Sequence, residues 1–238
     1  MSAAPLDAAL ARTVGQEDPP PLANRPRRLE PWAPSLRGRP IDLVHPRAED
    51  IDFREMADVL ANINRYGGNA FRRITVAHHT LIAVKAARQR NASPTLQAYV
   101  ALHDGHEWVL GDQTTPVTLA QAACANEMFG PTARDHEIGA REELKRRHDH
   151  AIWQAAGLPP PSNEQRAFIT ACDIVALHTE KRDFLLPCSR AWSVDLKPYP
   201  PLPRCEKPME PGDAADALWR LFRTLLPSLR DGTGRGGR

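Results

Sequence analysis

The sequence predicts an all-α fold, a helical bundle flanked by proline-rich N-terminal and C-terminal extensions. Three observations predict it: strand-like alternation is nearly absent, apolar residues recur at helical spacing in segments bounded by Gly and Pro, and several segments open on capping residues. At 238 residues the chain is long enough for one substantial core, which favours a single domain over two. That domain is expected over residues 31–228, with residues 1–30 as a disordered tail and residues 229–238 as a disordered Gly/Arg tail.

Nine prolines among the first fifty residues exclude long helices there and favour extended chain. Asp52 with Glu55 three residues later forms a capping pair, and Met56, Val59, Leu60 and Ile63 follow at helical spacing. A helix over 52–65, stopped by Gly67 and Gly68, results. The next helix, from Thr75 to about Arg90, contains no Gly or Pro. Pro94 opens a third in its first turn, where the missing N–H costs nothing, and the apolar stretch Leu96–Leu102 buries it on most sides before Gly111 ends it. Thr115 and Pro116 read as the N-cap and first position of a helix to Phe129. A charged helix runs from Ala133 to Ala156, and Ser162 with Gln165 forms a capping box for a helix to Phe184. After a proline-rich stretch from Pro198 to Pro211, Asp213 caps a last amphipathic helix carrying Leu218, Leu221, Phe222 and Leu225.

Composition narrows the function classes. With 31 basic and 29 acidic residues the net charge is +2, too small to argue for nucleic acid or an anionic membrane as partner. No apolar run approaches the roughly 20 residues that cross a bilayer, and the N-terminus lacks the pattern of a signal peptide, so a cytoplasmic location is the expectation. Cys124, Cys172, Cys188 and Cys205 form no Cys-x-x-Cys pair, which argues against a zinc knuckle or a thioredoxin-like motif. Most of the nine histidines sit in charged or proline-rich stretches where a solvated imidazole is expected.

One segment stands apart. In Ala101-Leu102-His103-Asp104-Gly105-His106-Glu107 two metal-binding residue types interrupt what reads as the middle of an apolar helix. Burying a carboxylate is costly unless it is paired, and a divalent cation beside a neutral imidazole would supply the pairing. Glu107, four residues from His103 and three from Asp104, then emerges on the same side, placed to act on a metal-bound water. A bare His-Asp pair is weak evidence alone. His79 on an earlier helix and Asp173, inside the apolar run Ile169–Leu177, are further candidate ligands. A lysine or arginine partner would account for Asp173 equally well.

The order His79, His103-Asp104, Asp173 resembles the H...HD...D signature of HD-domain metal-dependent phosphohydrolases. The similarity is closer to their 5'-deoxynucleotidase-like branch, on five segments in one order: Arg65; Thr75-Val76-Ala77-His78-His79-Thr80; His103-Asp104-Gly105-His106-Glu107; Gly111-Asp112-Gln113-Thr114-Thr115-Pro116; and Cys172-Asp173-Ile174-Val175 followed by Thr179-Glu180-Lys181-Arg182-Asp183. It covers roughly residues 35 to 186. One departure is His78, which stands where relatives often carry an acid or amide; periodicity does not choose between the adjacent imidazoles, and the family spacing favours His79. His106 reads as solvated.

The resemblance implies an HD-domain helical bundle holding one divalent ion (Mn, Co, Zn, Fe or Mg, with a transition metal favoured) on His79, His103, Asp104 and Asp173. It implies Glu107 and Asp112 as catalytic residues and Arg65 and Thr115 as substrate-binding residues. Outside the resemblance, Arg65 reads as a cation at a helix C-terminus and Asp112 as a turn former. The implied reaction is hydrolysis of a deoxynucleoside 5'-monophosphate to nucleoside and phosphate, with hydrolysis of deoxynucleoside triphosphates as the alternative and Arg72 with Arg73 as cations for the extra phosphates. A nucleotide is thus the expected partner. Nucleic acid and membrane are not the expected partners and a homo-oligomer is compatible with the sequence; the readings from another class are a nucleic-acid-binding protein, using the charged helix around Arg141 to His150 and the arginines near positions 26–28, 37 and 39, and a scaffold keeping a structural metal.

Overall fold

A computed structural model describes residues 31–192 and 194–235 of the chain. By its internal contacts the chain separates into Met1–Pro31 and Trp32–Arg238; the tail expected over 1–30 lies outside the described residues. The second unit is an all-α bundle, as the periodicity predicts, with one small hairpin at its start. In that hairpin β1 (Trp32–Pro34) pairs antiparallel with β2 (Pro40–Asp42), Ala33 opposite Ile41. It was not foreseen, since prolines bracket both strands. Two strands have only edges, and an edge tolerates a residue with no N–H to donate.

The first helix, α1 (Phe53–Leu60), is capped by Asp52, whose side chain accepts the amides of Arg54 and Glu55. Glu55 does not complete a capping box. Its fully buried carboxylate accepts the Arg37 amide at 2.7 Å and the Arg39 guanidinium at 3.0 Å, tying the hairpin to the bundle. The helix also ends five residues earlier than expected. Beyond it Asn64 bridges Thr75, Arg65 N–H donates to the Ile74 carbonyl, and Val76 N–H donates to that of Ile63. Strand-like pairing satisfies these backbone groups in place of another helical turn, and a 3-10 turn over Arg65–Gly68 follows.

The centre of the bundle is α2 (Val76–Gln89), capped by the Thr75 hydroxyl and buried on most of its circumference. Against it pack α3 (Pro94–Leu102), α7 (Asn163–Asp183) and α8 (Pro211–Leu225). The Ser93 hydroxyl caps α3 ahead of Pro94. This helix does not run on to Gly111: it stops at Leu102, His103–His106 turn, and a short α4 (Glu107–Leu110) starts afresh. Gly105 stands at the crossing, where a Cβ would lie 3.0 Å from the Leu102 carbonyl oxygen and 3.3 Å from Ile152 Cδ1.

Next comes an antiparallel helical pair, α5 (Thr115–Phe129) and α6 (Pro131–Ala156), joined at Gly130. Thr114, not Thr115, occupies the N-cap of α5. The capping box that opens α7 forms as predicted: Ser162 Oγ accepts the Gln165 amide and Gln165 Oε1 accepts that of Ser162. The proline-rich stretch before α8 is tied down, not loose. Thr179 Oγ1 accepts the Leu202 amide, and Arg182 donates to the carbonyls of Leu202 and Arg204. The amphipathic helix α8 starts at Pro211 with Glu210 at the N-cap and Asp213 in the first turn, and its apolar face closes on α1.

A short α9 (Pro227–Arg230) follows, and in the stretch read as a Gly/Arg tail Gly234 N–H donates to the Ser228 carbonyl while the Arg235 carbonyl accepts Phe53 N–H. Among the described residues no helix is long and apolar enough to cross a membrane.

Candidate metal centre

Three helices and one loop deliver side chains to a single point. On α2, His78 and His79 are about 100° apart around the helix axis, so the two imidazoles diverge. His78 turns away and sets its ring edge-on to Phe184, with Nε2 3.8 Å from Glu206 Oε2. His79 faces inward. Its Nε2 lies 3.1 Å from His103 Nε2, 3.4 Å from Asp104 Oδ2 and 3.1 Å from Asp173 Oδ1. His103 Nε2 in turn lies 3.2 Å from Asp104 Oδ2 and 3.8 Å from Asp173 Oδ1. The structure therefore brings His79, His103, Asp104 and Asp173 together.

The far nitrogens explain why these rings point as they do. His79 Nδ1 meets Glu180 Oε1, and His103 Nδ1 donates to the Val100 carbonyl at 2.8 Å. An oxygen acceptor at Nδ1 puts the ring proton there and leaves the Nε2 lone pair facing the cluster. Each Nε2 lies within 4 Å of both carboxylates, and lone pairs and carboxylates so placed repel one another unless a cation lies between them. Ligand distances of about 2.0–2.2 Å give donor–donor separations of roughly 3–3.5 Å, which is the spacing among His79, His103 and Asp104 and between His79 and Asp173, while His103 and Asp173 stand wider apart. Buried histidine and carboxylate groups so arranged can hold a metal ion, and His79, His103 and Asp104 form one such group.

Protonation points the same way. Burial and the Arg65 guanidinium oppose a charge on His79, yet Glu180 and Asp173 outweigh them and lift the imidazole to about 10. His103 is also raised, its burial overcome by Asp104. Burial would lift Asp104 as well, but His103, His79 and Arg65 hold it well below the usual carboxylate range. Each shift describes a site that collects positive charge.

Arg65, aimed inward by its pairing with Ile74, places Nη1 3.6 Å from Asp104 Oδ2 and Nε 3.5 Å from Glu180 Oε2. It is thus a member of the cluster and not a helix-terminal cation. Glu180 was not singled out in the sequence, although it follows Asp173 by seven residues, two turns along one face of α7. It is fully buried and accepts the Tyr66 hydroxyl at 2.6 Å. Burial raises its carboxyl, but Arg65 and His79 more than compensate and hold it down at about 2.

Glu107 stands beside Asp104 at the start of α4, 8 % exposed, with Oε2 making no hydrogen bond. Burial first, then Asp104 and Asp112, push its carboxyl up to about 9. Asp112 follows Gly111 on the loop. Burial raises its carboxyl and Asp104 adds to this, against the opposing charge of Arg65 and His79. Thr115 is exposed and is not among these groups; it lines a cavity of about 320 Å³ that opens from His106 and Glu107 between α5 and α6. Arg141 and Lys145 line the same cavity. The expected phosphate-side pair fares otherwise: Arg72 and Arg73 are exposed, and Arg73 is engaged with Asn64.

Several histidines expected to be solvated are buried. His106 is 5 % exposed and its Nδ1 donates to Asp149 Oδ1 at 2.9 Å, while His148 is fully buried with Nε2 donating to the Leu43 carbonyl. The cysteines of the described residues form no disulfide.

No protein-family model matches the chain. It is similar to an uncharacterized protein of Rhodobacter capsulatus, at 34 % identity over 93 residues that cover 37 % of this chain and 47 % of that protein. The match thus spans about half the length of that relative.

Proposed function

We propose that the protein is a metal-dependent phosphohydrolase of the HD type, acting on nucleotides. What carries the metal centre is one observation: two imidazoles, each with Nδ1 tied to an oxygen acceptor, point Nε2 at each other across 3.1 Å with Asp104 and Asp173 around them. The phosphohydrolase reading adds to this the order of the five segments that resemble the HD family. Two imidazoles in the donor set favour a transition metal over magnesium.

A divalent ion held by His79, His103, Asp104 and Asp173 would acidify a water at neutral pH and polarise a phosphate oxygen. The protein's own groups do the rest. Arg65 meets developing charge on the phosphoryl oxygens with a guanidinium already inside the site. A cation on Asp104 would offset the carboxylate repulsion that helps raise Glu107 to about 9, and the ionised Glu107 would then take the proton of the attacking water and return one to the leaving oxygen as the P–O bond breaks, giving alcohol and inorganic phosphate. The half-exposed Asp173 marks the solvent side from which a substrate enters, with Asp112 at the rim against its sugar.

A deoxynucleoside 5'-monophosphate is the substrate we favour. The cations Arg141 and Lys145 in the cavity next to Glu107 favour a second reading, a nucleoside triphosphate whose additional phosphates they would hold. Metal analysis of the purified protein, with product analysis over nucleoside mono-, di- and triphosphates, tests both. Inorganic phosphate from monophosphates supports the first and tripolyphosphate from triphosphates the second. Metal-loaded protein that turns over none of them sinks the enzymatic reading. His103→Ala or Asp104→Ala should abolish both metal content and turnover.

A further inference from the structure

We infer that the cavity between α5 and α6 receives the base of the substrate and selects a 6-oxopurine or 4-oxopyrimidine over its amino counterpart, with Arg141 and Lys145 as the selecting residues. The inference rests on the nucleotide reading of the neighbouring metal centre and adds the class of base to it. The cavity opens beside Glu107, Gly111 and Thr115, so it adjoins the cluster on the side of the loop that carries Asp112. A nucleotide whose phosphate meets the metal centre must place its base outside it, and this recess is next to hand. Its volume of about 320 Å³ falls within the range of small-molecule sites, about 300–1,000 Å³.

The walls are of two kinds. Leu110, Leu119, Ile138 and Leu144 are apolar, and Leu119 is 54 % exposed, an apolar surface that a flat ring would cover. Such walls suit a base, whereas phosphates gain nothing from them. Among them stand the two cations, Arg141 and Lys145, one turn apart on α6. Arg141 Nη1 is buried and makes no hydrogen bond, and Glu137, one turn earlier, is likewise unbonded at Oε2 and does not supply the acceptor. A buried donor without an acceptor costs free energy, so an acceptor atom on a ligand is favoured there.

Both cationic side chains can only donate. A carbonyl oxygen has two lone pairs and accepts from both at once, while the amino group that replaces it in adenine or cytosine turns N–H toward N–H. Glu142 also lines the cavity but is exposed, and water screens its pull on an amino group. Gln113, exposed on the loop, offers donor and acceptor alike and selects neither. The buried guanidinium nitrogen therefore decides, in favour of hypoxanthine, guanine, uracil or thymine over adenine and cytosine.

The test compares two pairs of 2'-deoxynucleoside 5'-monophosphates that differ in the oxo or amino group: those of hypoxanthine and adenine, and those of uracil and cytosine. Dissociation constants are measured by calorimetry on the chelator-treated full chain, where no metal-dependent turnover intervenes. The oxo member of each pair should bind about 10–100-fold tighter, and Arg141→Gln and Lys145→Gln should each bring that ratio toward one. Two replacements keep the test open if one of them folds poorly. Equal constants within both pairs, no measurable binding of any of the four, or a ratio that survives both replacements overturns the pocket. A triphosphate that binds tighter than its monophosphate whatever the base, an advantage lost in Arg141→Gln, gives the cations to the phosphates and overturns it too. With metal restored, a chain that keeps the preference but releases no phosphate retains the pocket and loses the hydrolytic reading. Release from all four at equal kcat/KM does the reverse.

Discussion

Adjacent residues here have unrelated fates. His78 and His79 differ by one position, yet one packs against Phe184 and the other against His103, because neighbouring side chains on a helix diverge by about 100°. His78→Leu should therefore leave the metal stoichiometry unchanged, while His79→Ala should remove the ion, as metal analysis of the two proteins would show. Glu180 acts through the imidazole it orients. Substituting such a carboxylate weakens metal binding by about 10–100-fold, so Glu180→Gln should raise the dissociation constant by that factor in calorimetry. The conservative replacement matters, since Glu180→Ala would strand Arg65, Tyr66 and the His79 ring together and cost roughly 3–5 kcal/mol.

Helix ends, more than helix bodies, build the site. The C-terminus of α3 leaves carbonyls without intrahelical partners, and His103 uses that of Val100 to set its ring. Gly105 lets the chain turn where Leu102 and Ile152 leave no space for a Cβ. Gly105→Ala should cost about 1–3 kcal/mol in denaturant titration and also weaken metal binding, because the crowding falls between Asp104 and His106. By contrast, Ser162→Ala at the start of α7 removes a cap remote from the cluster. It should cost about 1 kcal/mol and leave metal affinity as it was; a joint loss would mean that α7 moves as a rigid rod.

At the scale of the molecule, the cluster cross-links α2, the end of α3 and α7. An ion that binds the folded chain at 100 times its dissociation constant adds about 2.7 kcal/mol, and chains of this size shift by roughly 2–4 °C per kcal/mol. Chelation should therefore lower the melting temperature by about 5–10 °C, reversed by adding metal back; no shift would count against binding. A second coupling lies where α6 crosses the stretch after β2. Burial lowers the pKa of His148, with the Leu43 hydrogen bond only partly offsetting it. A depressed imidazole pKa means the folded state prefers the neutral ring. Its contribution is present above the ordinary value of about 6.5 and is lost as pH falls through the folded value. His148→Gln should flatten that part of the stability–pH curve between about pH 7 and 5.

Local pattern alone determined a good deal of this protein. Helical periodicity, the caps at Asp52, Thr75 and Ser162, and the breaks at Gly130 and Pro159–Pro161 place most of the helices, since each depends on residues a few positions apart. His103, Asp104 and Asp173 were also legible, as polar groups interrupting apolar runs, whereas the choice of His79 over His78 came from the family spacing and not from periodicity. Tertiary structure decided the rest. It ended α1 early by pairing Arg65 with Ile74, ended α3 at Leu102, buried His106 against Asp149, and made Glu180 the partner of His79, Tyr66 and Arg65. These partners lie nine to more than a hundred positions apart in the chain, and no spacing rule reports a hydrogen bond whose two ends meet only after the helices have packed.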